Sequence, residues 1–509
     1  MSKPGRKTHY ISSDSEWSFE LLQDYDDAIA KIAKDFGLDT YPNQMEVISS
    51  EQMLDAYSSV GMPVGYNHWS FGKQFLHSSK NYQRGQMGLA YEIVINSDPC
   101  IAYLMEENTM MMQALVIAHA CYGHNSFFKG NYLFRTWTDA SAIIDYLLFA
   151  KSYISKCEQR FGISEVEKIL DSCHALMNYG VDRYKRPNPI SAEEEAQRQE
   201  ERELHLQQQV NELWRTIPNL AQEPSAGEHQ RFPEEPQENL LYFFEKNSPL
   251  LEPWQREVIR IVRKIAQYFY PQRQTQVMNE GWATFWHYTI MNELYDRALV
   301  DEGFIIEFMT SHTGVIYQPP FDSKWYSGIN PYALGFSMYQ DIKRICEHPT
   351  DEDKHWFPDF AGSDWKTTLD FAMRNFKDES FILQYLSPKV IRDMKFFSIK
   401  DDEKKVNYEI TGIHDEEGYR YVREQLAMQY NLSMREPNIQ VWDVNLRGDR
   451  ALHLRHIPQD GVPLGEETEE VLKHVHRLWG FDVHLQSKEN EETVAEYHCP
   501  PLKNVEDDD

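Results

Sequence analysis

Long apolar runs are missing from this chain. Nowhere does an uninterrupted hydrophobic stretch approach the length that crosses a bilayer, so a membrane span is not expected. Cysteine is sparse and scattered: Cys100, Cys121, Cys157, Cys173, Cys346 and Cys499 form no C-x-x-C pair, which excludes a zinc knuckle or a disulfide framework and fits a reducing compartment. Basic charge is in deficit, with a formal net charge of -29. Phosphate backbones and anionic membrane surfaces would be repelled, so no nucleic-acid partner is expected. The opening MSKPGRKTHYISSDSEW lacks the apolar segment of a secretory signal, and a cytoplasmic location is the expectation.

What is present is a chain of 509 residues with 13% aromatics, enough for one large domain and an appendage. Rings concentrate between Trp254 and Phe397, as in a helical core. After a polar leader at 1–16, Phe19, Leu22, Tyr25, Ile29, Ile32 and Phe36 repeat with helical period and stop at Gly37. Ser50 reads as the cap of a second helix. From Tyr91 to Met105, two β-rich runs flank Asn96, Ser97, Asp98 and Pro99, which predicts a β-hairpin. Two amphipathic helices follow Asp139, and from 191 to 238 Glu, Gln, Arg and Pro dominate, a charged arm running into a loop. Past Phe397 the patterns run β-α-β-β-α-β, with a turn through Arg447, Gly448 and Asp449. The expectation is a mainly helical domain over 17–398, a ferredoxin-like α+β module over 399–490 that binds partners or small ligands, and an acidic tail over 491–509.

Two segments carry possible chemistry. In TQVMNEGWATFWHYTIMNELYDR, from Thr275 to Arg297, Glu280 and His287 are seven apart and fall within about 20° of each other on one helix face. In MQALVIAHACYGHNSFF, from Met112 to Phe128, His119 and His124 end a strongly apolar run, where an ionisable ring needs something to hold it. Two imidazoles and a carboxylate suit zinc or another divalent metal with one position left open. His119, His124, Glu280 and His287 are therefore the candidate ligands, with Glu280 and His287 also candidate catalytic groups. A satisfied core network of histidines and carboxylates would use the same residues, and both readings stand. On a regular helix His119 and His124 lie about 140° apart, so they meet only if the helix bulges near Gly123. His312 and His174 read as core or interhelical histidines that could also be ligands. The broken stretch VIYQPPFDSKWYSGINPYALGF offers Tyr317, Tyr326, Asn330 and Tyr332 for binding substrate or stabilising an oxyanion, with Tyr332 a candidate catalytic residue and Asn330 also a helix cap.

VIAHACYGH resembles the zincin H-E-x-x-H helix with one residue inserted, and MNEGWATFW resembles the segment in which gluzincin peptidases carry their third ligand. Ala120 stands where zincins have their general base, and about 155 residues separate His124 from Glu280. More broadly, HACYGHNSFFK, SCHALMNYGVDRYKRP, PQENLLYFFEKN, WYSGINPYALGF, AGSDW and HRLWGFDV identify the chain as resembling the stage V sporulation protein R family nearly end to end. That resemblance implies a setting in spore cortex formation or, in non-spore-formers, in stationary-phase and stress responses. It also implies a gene neighbourhood with a serine protein kinase and a von Willebrand-type protein as possible partners. It implies no reaction. A zincin-like hydrolase and a non-catalytic regulator that binds partner proteins remain the two readings.

Overall fold

The computed structural model describes residues 10–12, 14–58, 65–66, 68–69, 92–181, 183, 232–233, 235–320, 323–396, 398–400, 409–411, 415–432, 436–446, 448–458, 463–489 and 492–499. The first nine residues of the leader, most of the charged arm, Tyr91, Arg447 and the end of the acidic tail lie outside them. The chain forms two compact units, Met1–Glu167 with Tyr268–Glu436 and Lys168–Gln267 with Pro437–Asp509.

The first unit is mainly helical, with a three-stranded sheet beside its central helices. Helix α1, Phe19–Phe36, buries Leu22, Tyr25, Ile29 and Ile32. Ser18 Oγ accepts the Leu21 N–H at 3.2 Å, and the helix ends where Gly37 turns left-handed at φ +83°. The expected hairpin is present: β2, Glu92–Ile95, pairs antiparallel with β3, Cys100–Met105. A strand the periodicity does not reveal, β1, Asn43–Ile48, adds in parallel to the other side of β3. The helix after it begins at Ser50 itself, and Ser49 is the residue that accepts from the first turn, at Gln52. From β3 the chain passes through Thr109, whose hydroxyl caps α2, Met110–Val116. It continues without a break into a π-helical segment, Ile117–His124, and then α3, Asn125–Gly130.

Helix α4, Gln276–Asp296, is the axis of this unit. It is apolar almost all round, as a helix enclosed by others must be. Trp282, Phe285 and Trp286 interlock edge to face, and Trp282 Nε1 donates to Ser126 Oγ at 3.0 Å. Its unsatisfied first turn is closed from outside. The buried Asp378 carboxylate, on the first residue of a later helix, accepts the Val277 and Met278 N–H groups, each at 2.9 Å. Beside it lie α5, Glu302–Val315, and α6, Pro331–Glu347. Gly281 and Gly335 let α4 and α6 touch backbone to backbone, where a Cβ on either would overlap the other. The unit is completed by α7, Asp351–Trp356, and α8, Asp378–Tyr385, before the chain reaches β4, Ser398–Lys400, and β5, Glu409–Thr411.

The second unit holds a four-stranded sheet in the order β6-β7-β8-β9: Asn438–Val444, Leu452–Ile457, Val483–Glu489 and Glu492–Cys499. β6 and β7 form a hairpin, β7 and β8 run parallel, and β8 and β9 form a second hairpin. This differs from the expected ferredoxin-like βαββαβ order. The strand read near 409 pairs with β4 in a separate two-stranded sheet, and helix α9, Glu416–Gln429, buries Leu426 and Ala427 in the core of the first unit. Past Phe397 the periodicity gave the type of each element it picked out but not its partner, and it did not reveal β4 or β9. The division expected at 398/399 therefore falls at 436/437, and part of what was read as acidic tail is strand β9. The crossover from β7 to β8 is α10, Thr468–Trp479, which buries Leu472, Val475 and Trp479. Trp479 stacks on Phe243 at 5.8 Å, and Ser248 Oγ donates to the Leu478 carbonyl at 2.8 Å, so residues near 240–250 belong to this unit's core.

Candidate functional site

The π-helical segment resolves the spacing problem. Its hydrogen bonds reach five residues back, as from the Asn125 N–H to the Ala120 carbonyl, so residues five apart stand one turn apart on the same face. His119 and His124 consequently meet edge to face, with ring centroids 4.6 Å apart. Gly123 seats the segment on α4: a Cβ there would come within 2.6 Å of Ala283 Cα. That close approach brings both imidazoles level with Asn279 and Glu280.

Four acceptor atoms converge. His119 Nε2 lies 3.1 Å from Glu92 Oε1 and 3.7 Å from Glu280 Oε2, and His124 Nε2 lies 3.7 Å and 3.4 Å from the same two oxygens. The donor atoms of Glu92, His119 and His124 all fall within 4.8 Å of one another. Glu280 Oε2 is buried and makes no hydrogen bond of ordinary geometry. For nitrogen and oxygen ligands at about 2.0–2.2 Å, tetrahedral coordination needs ligand atoms roughly 3–3.5 Å apart, so the donor types fit a divalent ion of the zinc class and the imidazole–carboxylate spacings lie near those it needs.

The far sides of the two rings are held. His124 Nδ1 lies 2.9 Å from Asn279 Oδ1, so a proton on Nδ1 leaves the Nε2 lone pair facing the carboxylates. His119 Nδ1 lies 2.8 Å from His287 Nδ1, and His287 Nε2 lies 2.9 Å from His312 Nδ1. If His119 presents an unprotonated Nε2, its Nδ1–H donates to His287, which carries its own proton on Nε2 and donates to His312. Burial, then the neighbouring His119, holds His287 and His312 below the usual imidazole range, His312 at about 4, so these two rings are uncharged at neutral pH. The ionisable groups facing the carboxylates behave differently. Burial opposes the charge on His124, but Glu280 and then Glu92 override it and raise its pKa to about 9. Burial likewise opposes the charge on Glu280, yet His124 and His119 hold it well below the usual carboxylate range. Glu92 is raised, by burial, despite both histidines.

The structure thus brings together His119, His124 and Glu280. It places His287 on the opposite edge of the His119 ring from Nε2, behind the cluster and not in it. His312 stands one step further back, stacked on Phe308. Tyr332 stacks on His119, ring centroids 6.2 Å apart, and lines the same cavity of about 810 Å³ as Glu92, His119 and His287. Asn330 also borders that cavity while capping α6 through the Tyr332 N–H at 3.0 Å. Tyr317 and Tyr326 are exposed, 60% and 41%, and do not line it. His174 belongs to the second unit. Glu92 is the residue that the sequence reading missed. Its one signal was a carboxylate set into the apolar run YEIVI, where the hairpin pattern calls for a strand residue and the charge has no evident purpose.

The protein is thus of a mainly helical class that buries a His/Glu cluster beside a cavity and carries a small β-rich unit as well. Within that class the description "SpoVR like protein" matches residues 16–435 and "SpoVR-like C-terminal domain" matches residues 437–490, and the chain belongs to this family. It is 66% identical over 498 residues to "Uncharacterized protein YcgB" of Escherichia coli (strain K12), covering 97% of this chain and 98% of that protein. No solved structure matches it.

Proposed function

We propose that this SpoVR-family protein is a metal-dependent hydrolase with a zincin-like centre rebuilt around a π-helical segment. One observation carries the reading: each of two imidazole nitrogens lies 3.1–3.7 Å from each of two carboxylate oxygens, beside a cavity of about 810 Å³. His119, His124 and Glu280 would hold zinc or a similar divalent ion, which would supply Lewis acidity and a nucleophile competent at neutral pH. Glu280 suits a ligand because its neighbours keep it ionised. Glu92 suits the proton carrier. It lines the cavity, its pKa is raised, and it supplies from a strand the carboxylate that Ala120 withholds from the helix. Asn279 and His287 orient the two imidazoles. Tyr332, over His119 at the cavity wall, is placed to bind a polarised carbonyl oxygen. The substrate class is an amide, with a peptide or a soluble cell-wall precursor peptide as the candidate suggested by the family's cortex association.

Elemental analysis of purified protein tests this directly. The expectation is one equivalent of metal more in the wild type and in Glu92→Gln than in Glu280→Ala, with peptide hydrolysis present in the wild type alone. Equal metal content in wild type and Glu280→Ala after reconstitution would sink the reading and leave the cluster as a core network in a regulatory protein.

A further inference from the structure

The second unit carries a cluster of its own. On β7, β8 and β9, His453 stands opposite His484 and His484 stands opposite His498. Strand alternation puts the three on one face of the sheet, while Leu452, Val483, Leu485 and Cys499 are buried on the other. The rings form a row: His453 and His484 are stacked with centroids 5.0 Å apart and planes at 13°, and His484 and His498 are 4.5 Å apart at 36°. Asp482, immediately before β8, sets Oδ2 3.6 Å from His498 Nε2, and its backbone carbonyl is fixed by the Leu452 N–H at 2.8 Å. The donor atoms of Asp482, His484 and His498 all lie within 4.8 Å of one another.

We propose that Asp482, His484 and His498, with His453 beside them, form a second metal site, for a zinc-class divalent cation, that ties the β8–β9 hairpin together. The donor set decides the class of ion. Imidazoles with one carboxylate suit zinc, nickel or copper, whereas calcium and magnesium require oxygen-rich shells. The geometry is near that needed. Ligand atoms within 4.8 Å must close to roughly 3–3.5 Å for a tetrahedral ion, and side-chain rotations of partly exposed residues achieve this without moving the strands. Three adjacent strands hold the imidazoles in register, so the site sits on rigid elements and not on a loop. The row offers a sheet little else, since three side-by-side imidazoles give neither the apolar packing of β-branched pairs nor an opposite-charge pairing. This site shares no residue with the cluster of the first unit, and the proposal does not depend on the hydrolase reading.

The test uses full-length, chelator-stripped protein and zinc alone, titrated at micromolar concentration against a chromophoric chelator. The wild type should bind one equivalent more than the His484→Asn/His498→Asn double variant, whatever the first unit contributes. Because these side chains are partly exposed, circular dichroism should show the double variant folded. If it is not, His498→Gln alone serves, with at least a tenfold loss in affinity for that equivalent expected. Glu280→Ala should leave the equivalent in place. Equal stoichiometry in wild type and double variant, or less than tenfold weakening in His498→Gln, overturns the proposal.

Discussion

At the scale of single residues, the cluster depends on groups that never touch its centre. Asn279 fixes His124 through one contact of 2.9 Å, and outer partners of this kind typically contribute about 10–100-fold to metal affinity. On the proposed metal reading, Asn279→Ala should weaken zinc binding at this cluster by about that factor in a competition titration, with a much smaller change in melting temperature than Glu280→Ala brings. Equal affinity in variant and wild type would show that packing alone orients the ring. Asp378 acts over a similar range on a different problem. Its carboxylate satisfies two buried N–H groups at the start of α4, and Asp378→Ala leaves both without it. A loss of about 2–6 kcal/mol in chemical denaturation is expected, from a typical 1–3 kcal/mol per buried group left unpaired.

Elements are where the site acquires its shape. Gly123 is the contact through which the π-helical segment meets α4, and a methyl group there would press on Ala283 at 2.6 Å. Gly123→Ala should cost about 1–3 kcal/mol of stability by overpacking and, on the proposed metal reading, reduce the metal held by this cluster in the same preparation, because the helix that carries His119 and His124 must shift. An unchanged melting curve with full metal content would count against this account of the segment. Helix α7 illustrates capping with charge. Burial alone would raise the Asp353 pKa, but its hydrogen bonds to Arg344, then those to Thr350, override this and hold it at about 2. A folded pKa below the unfolded value near 3.8 stabilises the protein above that value, and the contribution is lost as pH falls toward 2. Measured between pH 5 and 2, Asp353→Asn should flatten the wild-type decline in stability by about 2 kcal/mol. A parallel decline in both proteins would exclude it.

On the scale of the whole molecule, the second unit is discontinuous in sequence. Trp479 and the end of α10 pack on Phe243 and Ser248, so a fragment starting at Pro437 lacks part of its own core. Residues 437–509 expressed alone should show little cooperative unfolding by circular dichroism, and adding residues 168–267 in trans should restore it. A sharp melt of the short fragment by itself would show that the sheet and α10 suffice.

The type of local structure and the chemistry available were legible in the order of residues alone. The period of α1 with its Ser18 and Gly37 ends, the β2–β3 hairpin around Asn96 to Pro99, and His119, His124 and Glu280 as residues needing explanation in apolar surroundings all follow from short-range pattern. The family assignment rests on the same kind of information. Tertiary structure alone decided which elements are partners. It paired β1 with β3, gave α9 to the first unit, and completed the second with β9 and residues from before α4, because burial on a face says nothing about what covers it. It also decided the site's membership. Glu92 entered from a strand, and His287 moved behind His119, because a π-helical turn and the Gly123–Ala283 contact set the angles at which the side chains meet, and those angles arise only when the elements pack.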